Sequence, residues 1–482
     1  MSAARRTGTS AAGRTGASAA GASGASEELG ALLAPECWSP RNRPGGAEVS
    51  LAVRRGDDVQ LSDGARSADG MRRRGGEGVA PTAAPRPTGF GPGWSGPEVL
   101  DRSSTTALVR FRHRAPSARA VALQASGWWR PDPVDACDLR PTGEGWWEGV
   151  FEVPSDWRAS YGFVEHHEAG DPPWWSSGLK QPGAGVVPDA GARRGHRAAR
   201  GGARRSVIAL PDDGPFGCSP ADGEPAPPLH LLDSPGIEEP VRWWASRPGD
   251  PGCEQLRTDQ PLPLLIVTDG AQHADLLGTP QRLRRGVASG VLPPLAAVFV
   301  DSGERRGEVL GVPGGHARWI AETLVPRLQA EGLRDGSDER GSGPDRSAPV
   351  PVTADPSHVV VTGASFGGLT ALFTVARAPH RVGSAIAQSV SLWRYPEGAL
   401  AAPLLEAARR AAAGGSPLRL RLQAGRFEGT MHADADALLD AVRTGAESEQ
   451  VPLDARLDLC SGGHDWAWWQ PELLAALRTL LR

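Results

Sequence analysis

Gly363-Ala364-Ser365-Phe366-Gly367 fits the pattern G-x-S-x-G. It follows an apolar run ending at Thr362 and precedes a helix-like stretch with Leu369, Leu372, Phe373 and Ala376 on one face. Strand, tight turn and helix is the context of a nucleophile elbow, in which a serine hydroxyl projects from a strained turn. A serine needs a base. The histidines that follow it are His380, His432 and His464. His464 lies in Ser461-Gly462-Gly463-His464-Asp465, directly after the last strand-like segment, where flanking glycines let an imidazole reach the serine. His380, at a helix end, and His432, at a helix start, read as structural. An orienting carboxylate falls between serine and histidine in chain order. Glu428, three residues past Gly425, takes that place. Asp434 and Asp436 remain alternatives, as does a serine–histidine pair with no acid. A metal set of His432, Asp434 and Asp436 is rejected, because their spacing does not converge on one point of a helix; no metal is expected. An oxyanion hole needs two backbone N–H donors. Phe366 would supply one. Ala271, after the strand-like PLLIVTD (263–269), would supply the other, unless that turn is an ordinary strand end.

The elements that must position these groups fall into two textures. Between residues 95 and 168, short segments such as TALVRFRH (106–113), ARAVALQA (118–125), GWWEGVFEVP (145–154) and WRASYGFVEHHE (157–168) recur about every ten residues, which suggests a β-sandwich. The Trp pairs 128–129 and 146–147 read as core and rim packing or as a ligand-facing aromatic wall. From residue 228 onward, strands at 263–269, 295–301, 358–363, 384–389, 418–425 and 455–460 alternate with helices at 316–331, 367–377, 402–412, 432–446 and 471–481. Continuous apolar strands point to a sheet covered on both faces. The expected architecture is α/β: an α/β-hydrolase catalytic domain (226–482), preceded by an all-β sandwich-like domain with a Pro/Gly/Arg-rich linker (93–225) and a mostly disordered extension (1–92).

Composition narrows the function. The 482 residues include 62 Gly and 44 Pro, far above average usage and without a collagen period. A net charge of −4 argues against a nucleic-acid partner. Lys180 is the single lysine among 52 basic residues, so nearly every cation is a guanidinium suited to oxyanions. The basic run 193–205 reads as a solvated loop, an anionic-ligand rim or, last, a nucleic-acid contact. Five cysteines without a CxxC argue against a disulfide framework or zinc site. The N-terminal stretch lacks a signal-peptide apolar core, and no run is long enough to span a membrane. A cytoplasmic protein with no membrane partner is expected.

TGASFGGLTALF, AIAQSVSLW (385–393) and GGHDWAWW (462–469), together with GPEVL, GWWEGVFEVPSDWRASYGF and VTDG upstream, resemble the enterochelin (enterobactin) esterase family of esterase-D-like α/β hydrolases over residues 94–480. The resemblance implies hydrolysis of the ester bonds of a ferric catecholate siderophore in the cytoplasm, with Ser365 as nucleophile and His464 as base. It implies no cofactor, since iron enters only with the substrate. It carries the family's Asp-Gly onto Asp269-Gly270, and a substrate-associated Arg with a nearby Glu onto Arg306 and Glu308. A ferric tris-catecholate is a trianion with aromatic rings, so guanidinium groups and Trp faces suit it. Trp393 and Trp466 are the expected substrate-facing tryptophans, with Trp468 and Trp469 beside them; core packing is the competing reading. Two other functions stay open: a serine carboxylesterase acting on another aryl or carbohydrate ester, and a binding protein that keeps the fold without catalysis.

Overall fold

The computed structural model describes residues 96–128, 135–175, 185–192, 194–197, 204–211, 229–232, 241–246, 260–333 and 349–482. The 1–92 extension, Trp129, Lys180, part of the basic run and Cys37, Cys218 and Cys253 lie outside the described residues.

The N-terminal part is a pair of four-stranded antiparallel sheets. β1 (Glu98–Arg102), β2 (Thr106–Arg114), β4 (Arg140–Gly143) and β5 (Trp146–Pro154) form one, in the order β1-β2-β5-β4. β3 (Ala120–Ala125), β6 (Arg158–His166), β7 (Gly195–Arg197) and β8 (Arg204–Ala209) form the other, in the order β3-β6-β8-β7. The two-residue period of a strand decides what each face carries. In β2, Ala107, Val109, Phe111 and His113 turn inward, while Leu108, Arg110 and Arg112 are only half-buried. The inner faces meet in an aromatic core: Phe111 lies edge-on to Tyr161 at 5.2 Å, and Trp128 edge-on to Phe151 at 5.3 Å. Trp128 and Trp147 are both buried, and the Trp147 indole donates to the Ala115 carbonyl at 3.1 Å. For these two residues the aromatic-wall alternative fails and core packing holds.

The C-terminal part is built on an eight-stranded sheet. Its strands are β9 (Leu229–Leu232), β10 (Val241–Ser246), β11 (Leu264–Val267), β12 (Ala296–Val300), β13 (Val359–Ala364), β14 (Ser384–Gln388), β15 (Leu418–Gly425) and β16 (Leu453–Cys460). The order is β16-β15-β14-β13-β11-β12-β10-β9. β10 runs antiparallel to β9 and β12; the pairs from β12 to β16 are all parallel. Helices Thr279–Ala288, Phe366–Arg377, Ala401–Ala413, Met431–Ser448 and Trp466–Leu480 cover the faces, with a helical run from Gly315 to Glu331 that includes a π-turn at Ile320–Leu324. Because both faces are covered, β11, β12, β13 and β14 are buried along their whole length. This is an α/β-hydrolase domain preceded by a β-sandwich domain. β13 is reached by crossing over β11, so the crevice beyond the ends of β11 and β13 is the switch point where open α/β sheets bind ligands.

Several elements depart from the sequence expectation, among them the short strands β1, β4, β7 and β9. β10 and helix Thr279–Ala288 were not anticipated. VRWWAS buries five of its six residues against β9 and β12, so it shows no alternation to read. The last helix starts at Trp466 rather than at Pro471, because the Asp465 side chain caps it by accepting from the Ala467 N–H. Among the described residues no helix is long and apolar enough to cross a membrane.

Candidate active site

Ser365 sits between β13 and helix Phe366–Arg377 at φ 60°, ψ −116°, a conformation that costs a non-glycine residue strain. Two glycines make the turn possible. A Cβ on Gly363 would meet Thr268 Oγ1 at 2.1 Å, and one on Gly367 would meet the same atom at 2.4 Å. The elbow is thus pressed against the end of β11. The Ser365 N–H donates to the Gln388 carbonyl at 2.9 Å. Its hydroxyl shares a 3.0 Å hydrogen bond with Ser391 Oγ, a buried residue just past β14.

The neighbouring strand ends bring up the other groups. Glu428, past β15, is buried, and its carboxylate accepts from three directions. Ser389 Oγ donates to Oε1 at 2.6 Å, the Gly425 N–H donates to Oε2 at 3.0 Å, and His464 Nδ1 lies 3.1 Å from Oε1. His464, past β16, leaves 42 % of its side chain exposed. Its ring stands edge-on to Trp469 at 4.7 Å. The Trp469 indole in turn donates to Ser389 Oγ at 2.7 Å. Asp434 instead accepts from the Thr430 hydroxyl at 3.3 Å, and Asp436 is exposed. The Ser365 hydroxyl is bonded to Ser391 rather than to His464 in this state. Among the described residues, no group of three or more His, Cys, Asp or Glu is placed to hold a metal ion.

The two expected oxyanion donors lie on the turns that follow β11 and β13. Phe366 opens its helix, where the first N–H groups have no intrahelical acceptor. Ala271 follows Asp269 and Gly270 in the turn after β11; the Asp269 carbonyl accepts from Gln272 and His273. Gly270 is packed so tightly on β12 that a Cβ would meet the Phe299 backbone at 2.6 Å. Arg306 holds this turn. Its Nε and Nη2 fork onto both Asp269 oxygens at 2.7 Å, and Nη2 also reaches the Ala364 carbonyl at 3.2 Å. Ser302 adds a 2.9 Å bond to Asp269. Burial alone would raise the Asp269 pKa, but Arg306 and Ser302 outweigh it and hold the carboxyl below its ordinary range. Burial would likewise lower the Arg306 pKa, and Asp269 raises it. Arg306 therefore ties the turn after β11 to the elbow through two of its nitrogens. Glu308 pairs with the exposed Arg305 instead.

Trp393 is 50 % exposed and packs on the Phe366 ring at 6.0 Å. The Arg394 guanidinium lies 4.5 Å, and that of Arg306 5.8 Å, from the same ring. Trp466 is half-buried, edge-on to Trp469 at 4.8 Å and to His273 at 5.3 Å. Trp468 and Trp469 are buried. Sequence reasoning assigned no role to Ser389, Ser391 or Arg394. Their signal was position: polar residues just past a strand that borders the switch-point crevice.

Two buried histidines flank Asp269. Burial pushes His273 and His316 down to about 4, with the charge of Asp269 opposing it in both. Both imidazoles are then neutral in the folded protein at pH 5 to 6, while the unfolded chain takes up protons below about 6.5. Stability is therefore full above that pH and falls as pH drops towards 4, by about 3 kcal/mol per histidine. Asp269 adds stability that is present above its unfolded pKa of about 4 and is lost below it. Thermal melts from pH 7.5 to 4 should show a steep fall in Tm beginning near 6.5. A flat profile would contradict the neutral burial of both rings.

Comparison with known proteins follows this geometry. A family model described as a putative esterase matches residues 345–480. An iron(III) salmochelin esterase from Escherichia coli O6:H1 is 27 % identical over 134 residues, which is 26 % of this chain and 31 % of that relative. The chain thus matches about a third of the relative's length. The enterobactin esterase of Shigella flexneri, solved in the presence of enterobactin, superposes with a TM-score of 0.60 at 22 % identity, over 80 % of this chain and 96 % of that one. The ferric enterobactin esterase of Salmonella typhimurium gives 0.59 at 21 % identity, with the same coverage. The chain has the fold of these enzymes.

Proposed function

We propose that this chain, which shares the enterobactin-esterase fold, is a serine ester hydrolase that opens the ester bonds of a ferric catecholate siderophore. Ser365 Oγ attacks the ester carbonyl. His464, through Nε2, takes the serine proton, while Glu428 holds Nδ1 and so fixes the tautomer. The oxyanion rests on the N–H groups of Phe366 and Ala271. Collapse expels the alcohol, which receives the proton from His464. Water then repeats the attack on the acyl-enzyme, and the carboxylic acid leaves.

The observation that carries this reading is the buried Glu428 carboxylate gripping His464 at 3.1 Å, on strand ends beside a serine elbow. The substrate class is supported by Trp393, Phe366, Arg394 and Arg306, which put aromatic faces and guanidinium groups next to the serine. Such a surface suits catechol rings that carry negative charge. Trp466 would line the histidine side. Iron arrives as part of the substrate, and the reaction is placed in the cytoplasm, where released iron is used.

The test is incubation of the protein with a cyclic tri-catecholate lactone, with and without ferric iron, followed by chromatography and mass spectrometry. Linear trimer, dimer or monomer should appear, and should not appear with Ser365→Ala. Cleavage of a simple aryl ester without any cleavage of the lactone would keep the enzyme and remove the siderophore.

A further inference from the structure

The loop that carries His464 is buried up to Gly463 and is held from both domains. Ser461, Gly462 and Gly463 precede the histidine, and glycines leave a backbone conformationally free. The imidazole is partly exposed, rests against Trp469 and bonds Glu428. Within its own domain the loop is held by the Trp468 indole, which donates to the Gly463 carbonyl, and the rest of its support comes from the other domain. Asp465, the residue after the histidine, is 5 % exposed. Its carboxylate accepts from both the N–H and the hydroxyl of Ser160 on β6, the hydroxyl at 2.6 Å. The same carboxylate caps the last helix through Ala467 N at 3.2 Å. Around it, the Arg158 N–H donates to the Ser461 carbonyl at 3.0 Å. Gly463 and Gly127 touch so closely that a Cβ on either would meet the other's Cα at 2.5 Å. The acid's loop is held in the same way: Phe427 packs on the sandwich core, and its N–H donates to the Gly462 carbonyl at 3.1 Å. Beyond Arg158 and Glu472 the junction opens into a cleft of about 450 Å³, so it is not uniformly packed.

We infer that the β-sandwich braces the base of the hydrolase domain, and that Asp465 is the positioning residue through which Ser160 fixes His464. This rests on the proposed assignment of Ser365, His464 and Glu428. A carboxylate that accepts charge-assisted bonds from two sides has little freedom. Its neighbour's imidazole is then pre-oriented towards Glu428, and the cost of ordering it is not met again at each turnover.

A helix cap alone would explain Asp465 without any link to the base, and two variants of the full chain separate the readings. Asp465→Ser keeps a capping oxygen but is too short to reach Ser160. Ser160→Ala leaves the cap intact and removes one brace bond. The measurements are kcat and KM on p-nitrophenyl butyrate, Tm, and the downfield imidazole Nδ1 proton signal, assigned by its absence in His464→Gln. Asp465→Ser should lower kcat about 10- to 100-fold with KM within about twofold, and broaden or erase that proton signal; Tm should fall as well, because the buried Ser160 donors lose their acceptor. Ser160→Ala should lower kcat by about three- to tenfold. Unchanged kcat and an unchanged proton signal in both variants would overturn the brace, whatever happens to Tm. If Asp465→Ser does not fold, Ser160→Ala decides. If the wild-type protein cleaves no ester, the proposed function falls, and the proton signal alone decides the brace.

Discussion

Ser365→Ala should lower kcat on an aryl ester about 100,000-fold, close to 7 kcal/mol of transition-state stabilisation. The magnitude follows from losing the covalent route altogether. What remains is the oxyanion donors and whatever binding the crevice provides, and in triad enzymes that residue still exceeds water by about 10³ to 10⁴. The strained backbone at φ 60° should persist, because the Gly363 and Gly367 contacts with Thr268 impose it. Tm should therefore change little. Steady-state kinetics and mass spectrometry of a fluorophosphonate-treated protein check it together. Labelling on the peptide containing residue 365 should appear in the wild type and vanish in the variant. Residual activity near the wild-type level would move the nucleophile elsewhere, with Ser391 the first place to look, since its hydroxyl lies 3.0 Å from that of Ser365.

Glu428→Gln is expected to cost about 1,000- to 10,000-fold in kcat while changing the side-chain volume hardly at all. The reason lies in the partners. One oxygen accepts from Ser389 and faces His464 Nδ1; the other accepts from the Gly425 N–H. Every partner is a donor. An amide has one acceptor oxygen, so its NH₂ must point either at Gly425 N–H or at Ser389 and His464. The first orientation leaves two buried donors opposed. The second drives His464 into the tautomer with its proton on Nε2, which cannot accept from Ser365. Fluorophosphonate labelling of Ser365 should slow in parallel with kcat. A loss below tenfold would mean that His464 needs no carboxylate, and Asp434 and Asp436 offer no substitute, one engaged with Thr430 and the other exposed.

Much of this site could be read before any fold was known because its parts are local. The elbow is five consecutive residues between a strand and a helix. His464 and Glu428 each follow a strand that the apolar pattern marks. A parallel sheet brings every strand's carboxyl end to one edge, so residues just past those ends become neighbours whatever their distance in sequence. The alternation of β2 and the apolar runs of β11 to β14 likewise reflect how many faces each strand buries.

The rest depended on contacts that no local pattern encodes. A tryptophan beside a strand is equally apolar in a core or on a pocket wall. Only packing put Trp128 and Trp147 inside and left Trp393 half exposed. Pro471 suits the start of a helix, yet the Asp465 cap begins that helix five residues earlier. Arg306 was singled out from the sequence, but only the tertiary structure shows that its fork grips Asp269 and the Ala364 carbonyl. Asp465 and Ser160 are 305 residues apart and belong to different domains. The sequence by itself determined the strand ends and the residue types they present, because backbone periodicity and turn strain are local. The tertiary structure alone decided how those groups are held, because charge pairing and burial depend on which distant surfaces meet.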